Sequence, residues 1–173
     1  HEFESVEAVE WRNQHLDFRS LPALIRALET PPDRPGLIRA RGATDEETLK
    51  RLATEDFVEG LSREGDVRRA WEVCLTPDFR KVTIDEHARL VVTLARHLLT
   101  GRQRIPQDWI GREIGKLDRT DGDLDSLQAR LAHIRTWTYA ANRPDWIDDC
   151  EHWRGRTREI EDKLSDTLHT VLT

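Results

Sequence analysis

Apolar side chains recur along this chain at the three-to-four-residue spacing that lines one face of an α-helix, and the alternation expected of a half-buried strand persists nowhere. The clearest stripe is Ile84, His87, Ala88, Val91, Leu94, Ala95 and Leu98, preceded by Thr83 with Glu86 three residues on and followed by Gly101. Thr-x-x-Glu is a capping box, in which hydroxyl and carboxylate satisfy N–H groups orphaned at a helix start. A helix over 83–100 is therefore predicted, and its long stripe should make it the most buried. A second stripe, Leu124, Leu127, Leu131, Ile134, Thr138 and Ala141, has Trp137 at its margin, caps available from Asp121 to Asp125, and Pro144 to close it. The last, from about Cys150, carries Trp153, Ile160, Leu164, Leu168 and Val171.

Shorter elements precede these. Residues 3–14 read as a first helix, and Asp17 or Ser20 caps a second running LPALIRALE. TPPDRPG then excludes helix, because three prolines and a glycine remove donors and fix or free the backbone. Thr44-x-x-Glu47 is a second capping box, Thr54 caps a short turn of helix, and residues 66–75 form another helix stopped by Thr76-Pro77. Pro106 suits the first turn of a helix QDWIGREIGKL. The predicted fold is all-α, a compact multi-helix domain of about seven to nine helices. Linker and N-terminal helices occupy 1–30, a Pro/Gly-containing loop 31–43, and the main helical domain 44–173, with the proline break as the expected internal boundary.

Composition narrows the function classes. A chain of 173 residues buries enough surface to fold without staples. Its two cysteines, Cys74 and Cys150, stand far apart outside any zinc spacing, which suits free thiols in a reducing compartment. No run approaches the roughly 18 apolar residues of a membrane span, and no signal peptide is visible, so a soluble, cytoplasmic protein is expected. The chain lacks methionine altogether and begins HEF, and reads as a piece of a longer one. Acidic residues outnumber basic ones by 33 to 27, so the whole would repel a phosphate backbone and any nucleic-acid contact must be local. All basic residues but Lys50, Lys81, Lys116 and Lys163 are arginine, the side chain suited to bidentate phosphate or carboxylate pairing.

Several tempting motifs fail on spacing. GREIGKL holds Gly111, Gly115 and Lys116, but a phosphate loop needs four residues between its glycines and a Ser or Thr after the lysine, where Leu117 stands. DRTDGDLD suggests calcium, yet with Gly122 at the sixth place of an EF-hand loop the first, third and twelfth ligands would be Leu117, Arg119 and Gln128; its aspartates read as helix caps. The histidines form no HExxH and no i,i+4 pair. His87 falls on the apolar stripe, as a hydrogen-bonded core histidine would, and His97 falls off it and should be exposed. No nucleophile has a partner assignable from spacing, so no catalytic residue is expected. RTWTYAANRPDW, residues 135–146, concentrates aromatics and arginines like a base-stacking platform, but its phase makes it core and corner, with Trp146 packing back on the final helix.

Basic clusters remain as candidate nucleic-acid contacts: Arg39 and Arg41 in RPGLIRAR, Arg69 in VRR, Arg80 and Lys81 in FRK, Arg102 and Arg104 in RQR. Most lie in loops or at helix ends, where backbone-phosphate contacts usually arise.

Read in order, VRRAWEVCLTPDFRK at 67–81, the helix over 83–100, IPQDW, and the stretch 124–168 with its Trp-bearing and Leu-spaced helices form a pattern. Its local marks are Arg69 before an aromatic, Cys74-x-x-Pro77, Arg135-x-Trp137, Arg143 and Trp146. From about Leu16 to Leu168 the chain resembles the C-terminal helical region of the mitochondrial-degradosome type of superfamily-two DExH RNA helicase, and more closely its bacterial relatives. The resemblance implies a bacterial, cytoplasmic parent chain whose upstream RecA-like lobes bind ATP and magnesium, with this region packing on them and walling the path of single-stranded RNA or DNA. It carries over no catalytic residue and no cofactor, because no ATP-binding or DExH motif occurs here. The acidic balance departs from the basic wall expected along a strand. A free-standing helical protein-interaction or regulatory module, without nucleic-acid binding, is the alternative that this balance favours.

Overall fold

The computed structural model of the protein describes residues 9–173. They form two compact units, one ending at Leu75 and the other running from Thr76 to Thr173. Seven α-helices dominate, as the apolar period predicts, and the proline break lies inside the first unit.

In the first unit a short strand β1, Val9–Trp11, precedes α1, Leu21–Leu28, and a second strand β2, Leu37–Arg39, follows it. The strands pair in parallel with Val9 opposite Leu37 and Trp11 opposite Arg39. The helix expected over 3–14 is thus absent from its described part, and residues 3–8 lie outside the described residues. Three residues are too few to display alternation, and the partner strand lies beyond the proline break, so local pattern could not reveal the pair. Ser20 caps α1 by accepting from Ala23 N at 3.1 Å, with Pro22 in the first turn, and Leu21, Ala23, Leu24 and Leu28 are buried. Gly36, at φ +83°, turns the chain into β2, a conformation that glycine adopts without strain.

α2, Thr44–Leu52, starts differently from prediction. Ala43 holds the N-cap position without a side-chain bond, and Thr44 is the first helical residue. Asp45, Glu46 and Glu47 in the first turn favour the positive helix end instead. A short 3-10 turn, Asp56–Val58, leads to α3, Glu64–Cys74, which ends before Thr76-Pro77 as expected. Thr54 does not cap that turn; its hydroxyl donates back to Arg51 O at 2.7 Å.

The second unit follows the sequence closely. Thr83 caps α4, Ile84–Leu99, by accepting from Glu86 N at 3.2 Å, and every residue of the predicted stripe except the half-buried Ile84 is buried. Pro106 is the N-cap of α5, Gln107–Gly115, one place before the first turn, and Asp123 caps α6, Leu124–Ala141, accepting from Ser126 N at 2.8 Å. α6 lies along α7, Cys150–Leu172. α7 has 23 residues against 18 in α6, and its apolar stripe runs out into solvent at Val171 and Leu172.

Trp137 is not marginal. Its exposure is 0%, and the buried set of α6 extends to Thr136 and Ala140, because α5 covers the flank that the leucine stripe leaves open. Trp109 of α5 meets Trp137 edge-to-face at 5.5 Å, and His97 of α4 lies 4.7 Å from Trp109. Trp146 is equally buried, edge-on to Tyr139 at 6.0 Å. The Arg143 guanidinium lies over both rings and donates to Tyr139 Oη at 2.6 Å. RTWTYAANRPDW is therefore core and corner, with neither tryptophan available to stack on a base.

Trp137 Nε1 is buried with no hydrogen-bond partner among the described residues. Replacing Trp137 by Ala should cost about 3–5 kcal/mol, while Trp137→Phe, which keeps a ring and removes the buried N–H, should cost much less. Urea denaturation followed by circular dichroism reads both; a wild-type midpoint for Trp137→Ala would contradict this packing.

Candidate nucleic-acid interface

A side chain holds a phosphate only if its charge is not already spent on a neighbouring carboxylate. Of the seven predicted contacts, Arg39, Arg102 and Arg104 lie beside carboxylates, whereas Arg41, Arg80 and Lys81 make no ion pair among the described residues. Arg39, half-buried on β2, lies 4.0 Å from Glu46, a nearly inaccessible carboxylate also 3.7 Å from Arg12, whose guanidinium donates to Asp45 at 2.7 Å. Burial raises the Glu46 pKa despite the two arginines. Arg39 belongs to this internal charge group. Arg69 is half-buried midway along α3, and Arg41 is exposed in the loop after β2.

In the second unit Arg102 and Arg104 share one carboxylate. Asp148 lies 3.2 Å from Arg102 and 3.5 Å from Arg104, and Arg104 also donates to the Asp145 carbonyl. They line a hollow of about 240 Å³ with His97, Thr100, Gly101 and Pro106. Their charge ties the loop before α5 to the corner after α6, alongside the 2.8 Å bond from Ile105 N to Trp146 O.

Arg80 and Lys81 are different. They sit in the loop before α4, Lys81 in the left-handed region at φ +54°, and among the described residues neither side chain makes a hydrogen bond or ion pair. Arg80 lines a separate cleft of about 260 Å³ with Val82, Leu117, Ala129, Arg130, Ala132 and His133. Of the predicted residues in this unit, the cleft brings in Arg80 and leaves Arg102 and Arg104 in the other hollow.

Arg130 and His133, absent from the predicted set, complete the cleft. They stand one turn apart on α6 and so share a face. Arg130 is anchored by donating to the carbonyls of Arg119 and Asp121. Gly122, at φ +102°, makes room for it: a Cβ there would lie 2.8 Å from Arg130 Nη2. DRTDGDLD therefore does two jobs, capping α6 through Asp123 and fixing a guanidinium. The turn-apart spacing of Arg130 and His133 was legible, but nothing local in sequence places the 80–82 loop opposite them.

Burial, together with Arg80 and Lys116 and against Glu113, depresses the His133 pKa to about 4. His87 is the buried, hydrogen-bonded histidine its position on the stripe predicts, Nε2 lying 3.1 Å from Thr76 O and Nδ1 3.9 Å from Asp78. Burial lowers its pKa as well. His97 is half-buried against Trp109 rather than exposed, because α5 packs over that side of α4's end, and burial lowers its pKa too. Cys74 is a buried thiol whose pKa burial pushes up, and both cysteines are free.

Among the described residues, no group of three or more His, Cys, Asp or Glu side chains is arranged to hold a metal ion, and no helix is long and apolar enough to cross a membrane. Compared with protein-family models, curated proteins and solved structures, the chain finds no match in any of the three.

These depressed histidines set a pH dependence of stability. Each binds a proton more readily unfolded than folded, so their contribution is fully present above about pH 6.5 and is lost as pH falls toward the folded values, about 4 for His133. Thermal melts from neutral to acidic pH should show Tm falling through this window, and less steeply in His133→Gln. Identical profiles for the two proteins would contradict the assignment to His133.

Proposed function

We propose that this chain is the accessory helical region of an ATP-dependent DExH-type helicase, and that its part is binding and geometry rather than chemistry. It guides single-stranded RNA or DNA by its phosphates, while ATP and magnesium act in RecA-like lobes upstream in the parent chain. The observation that carries this reading is the pair Arg80 and Lys81, whose side chains make no ion pair or hydrogen bond among the described residues, Arg80 lining a cleft with Arg130. Free cationic side chains on a loop are what a sequence-independent phosphate contact requires. The ordered resemblance of residues 67–168 to the helical region of such helicases supports the same reading. A net charge of −6 then becomes informative: it repels the strand elsewhere and leaves binding to the places where cations are uncompensated.

Exposed Val171 and Leu172 at the end of α7 favour a second reading, a helical protein-interaction module in which the cleft has no strand to hold.

Strand binding parts the two. Fluorescence anisotropy with a labelled oligouridylate should show weak binding that falls steeply with salt. Arg80→Gln combined with Lys81→Gln should weaken it about tenfold at low salt and reduce the salt slope by about 1.4, roughly 0.7 for each lost contact to a single strand. Arg102→Gln should change it little, because that charge is already shared with Asp148. Salt-insensitive binding, or no loss in the double variant, would contradict the proposal.

A further inference from the structure

The cleft beside Arg80 combines three features that a simple basic patch lacks. Arg130 is held rigidly, both of its Nη groups committed to backbone carbonyls and its charge partly offset by Asp121 and Asp123, so it contributes a fixed field rather than a searching side chain. Arg80 makes no hydrogen bond or ion pair among the described residues and supplies donors. His133 presents an imidazole with neither ring nitrogen hydrogen-bonded among the described residues, half-buried yet open to the cleft. Between them the walls are apolar, formed by Val82, Leu117, Ala129 and Ala132. Apolar walls exclude water and strengthen any charge-assisted hydrogen bond made inside. A volume of about 260 Å³ is below that of most small-molecule pockets, enough for a phosphate and part of its sugar but not for stacked bases.

We propose that this cleft is a subsite for one phosphodiester of the strand, with Arg80 and Arg130 compensating its charge and His133 donating a hydrogen bond to its oxygen. The inference rests on the strand-binding reading above and says which atoms meet the strand. Its consequence is a coupling of binding to protons. In the free protein the groups facing His133 are Arg80 from the 80–82 loop, Glu113 from α5 and Lys116 just after it, and Arg130 and the Trp137 ring, 5.9 Å away, from its own helix. Burial and the cations hold the imidazole neutral. A phosphodiester in the cleft offsets those cations and favours the imidazolium, so the bound state takes up a proton and affinity rises as pH falls. A phosphodiester itself does not titrate between pH 5 and 8, where histidine does, so the dependence reports on the protein.

The test uses a labelled oligouridylate without terminal phosphates, titrated at constant ionic strength near neutrality and at about pH 5.5, with circular dichroism confirming the fold at each pH. Wild-type affinity should rise about fivefold or more on acidification. His133→Gln should still bind near neutrality and lose most of that rise, and Arg80→Gln should bind more weakly at both values. The Cε1–H resonance of His133 in the wild-type chain gives a readout that needs no variant: added strand should move its titration midpoint upward. A midpoint that does not move, or a His133→Gln variant with the wild-type pH dependence, overturns the subsite while leaving strand binding intact. Absence of binding at either pH overturns the subsite and the proposed function together.

Discussion

The second unit depends on the burial of Trp137. Its indole, fully inaccessible on α6, meets Trp109 of α5 edge-to-face, and Trp109 in turn meets His97 of α4. Three helices are thereby joined through one row of rings. An indole buries more apolar surface than any other side chain in this core, so few alternative registers of α6 against α5 would recover the same energy. That constraint reaches the surface. His133 and Arg130 stand one and two turns before Trp137 on the same helix, so fixing the tryptophan fixes the face on which the cleft is built.

Charge is distributed with the same economy. Most of the arginine-rich clusters are consumed by the fold: Arg39 with Glu46, Arg102 and Arg104 with Asp148, Arg156 and Lys163 on Asp118, and Arg143 over Tyr139 and Trp146. Exposed pairs of this kind contribute little stability each, and their main effect is to cancel charge. Arg80 and Lys81, like the exposed Arg41 of the first unit, make no ion pair among the described residues. In an acidic protein, the location of uncompensated cations says more about a polyanion's path than the count of basic residues.

Much of the fold was legible in sequence because helices advertise themselves locally. The Thr83 hydroxyl cap, the Asp123 cap, the His87 stripe and the stop at Thr76-Pro77 are short-range signals, and all four operate as read. Two of the misreadings share one cause. The β1–β2 pair joins residues on either side of the proline break, and Trp137 is buried by a helix whose position no periodicity encodes. The Thr44 box failed for a different reason, since the helix begins one residue earlier than a hydroxyl cap at Thr44 requires. The site divides in the same way. Arg80 and Lys81 belong to a visible basic run, whereas Arg130 and His133 acquire meaning only when the 80–82 loop is set opposite them and Gly122 lets the guanidinium reach its carbonyls.

We propose that a single strand meets this protein at the cleft of Arg80, Arg130 and His133. Amide-resolved NMR of the uniformly labelled chain, titrated with oligouridylate, tests it residue by residue. The account predicts shifts concentrated at 80–82 and 129–133, with the amides of 102–104 and 148 nearly unmoved. Shifts centred on the Arg102 and Arg104 hollow, or confined to the end of α7, would contradict it.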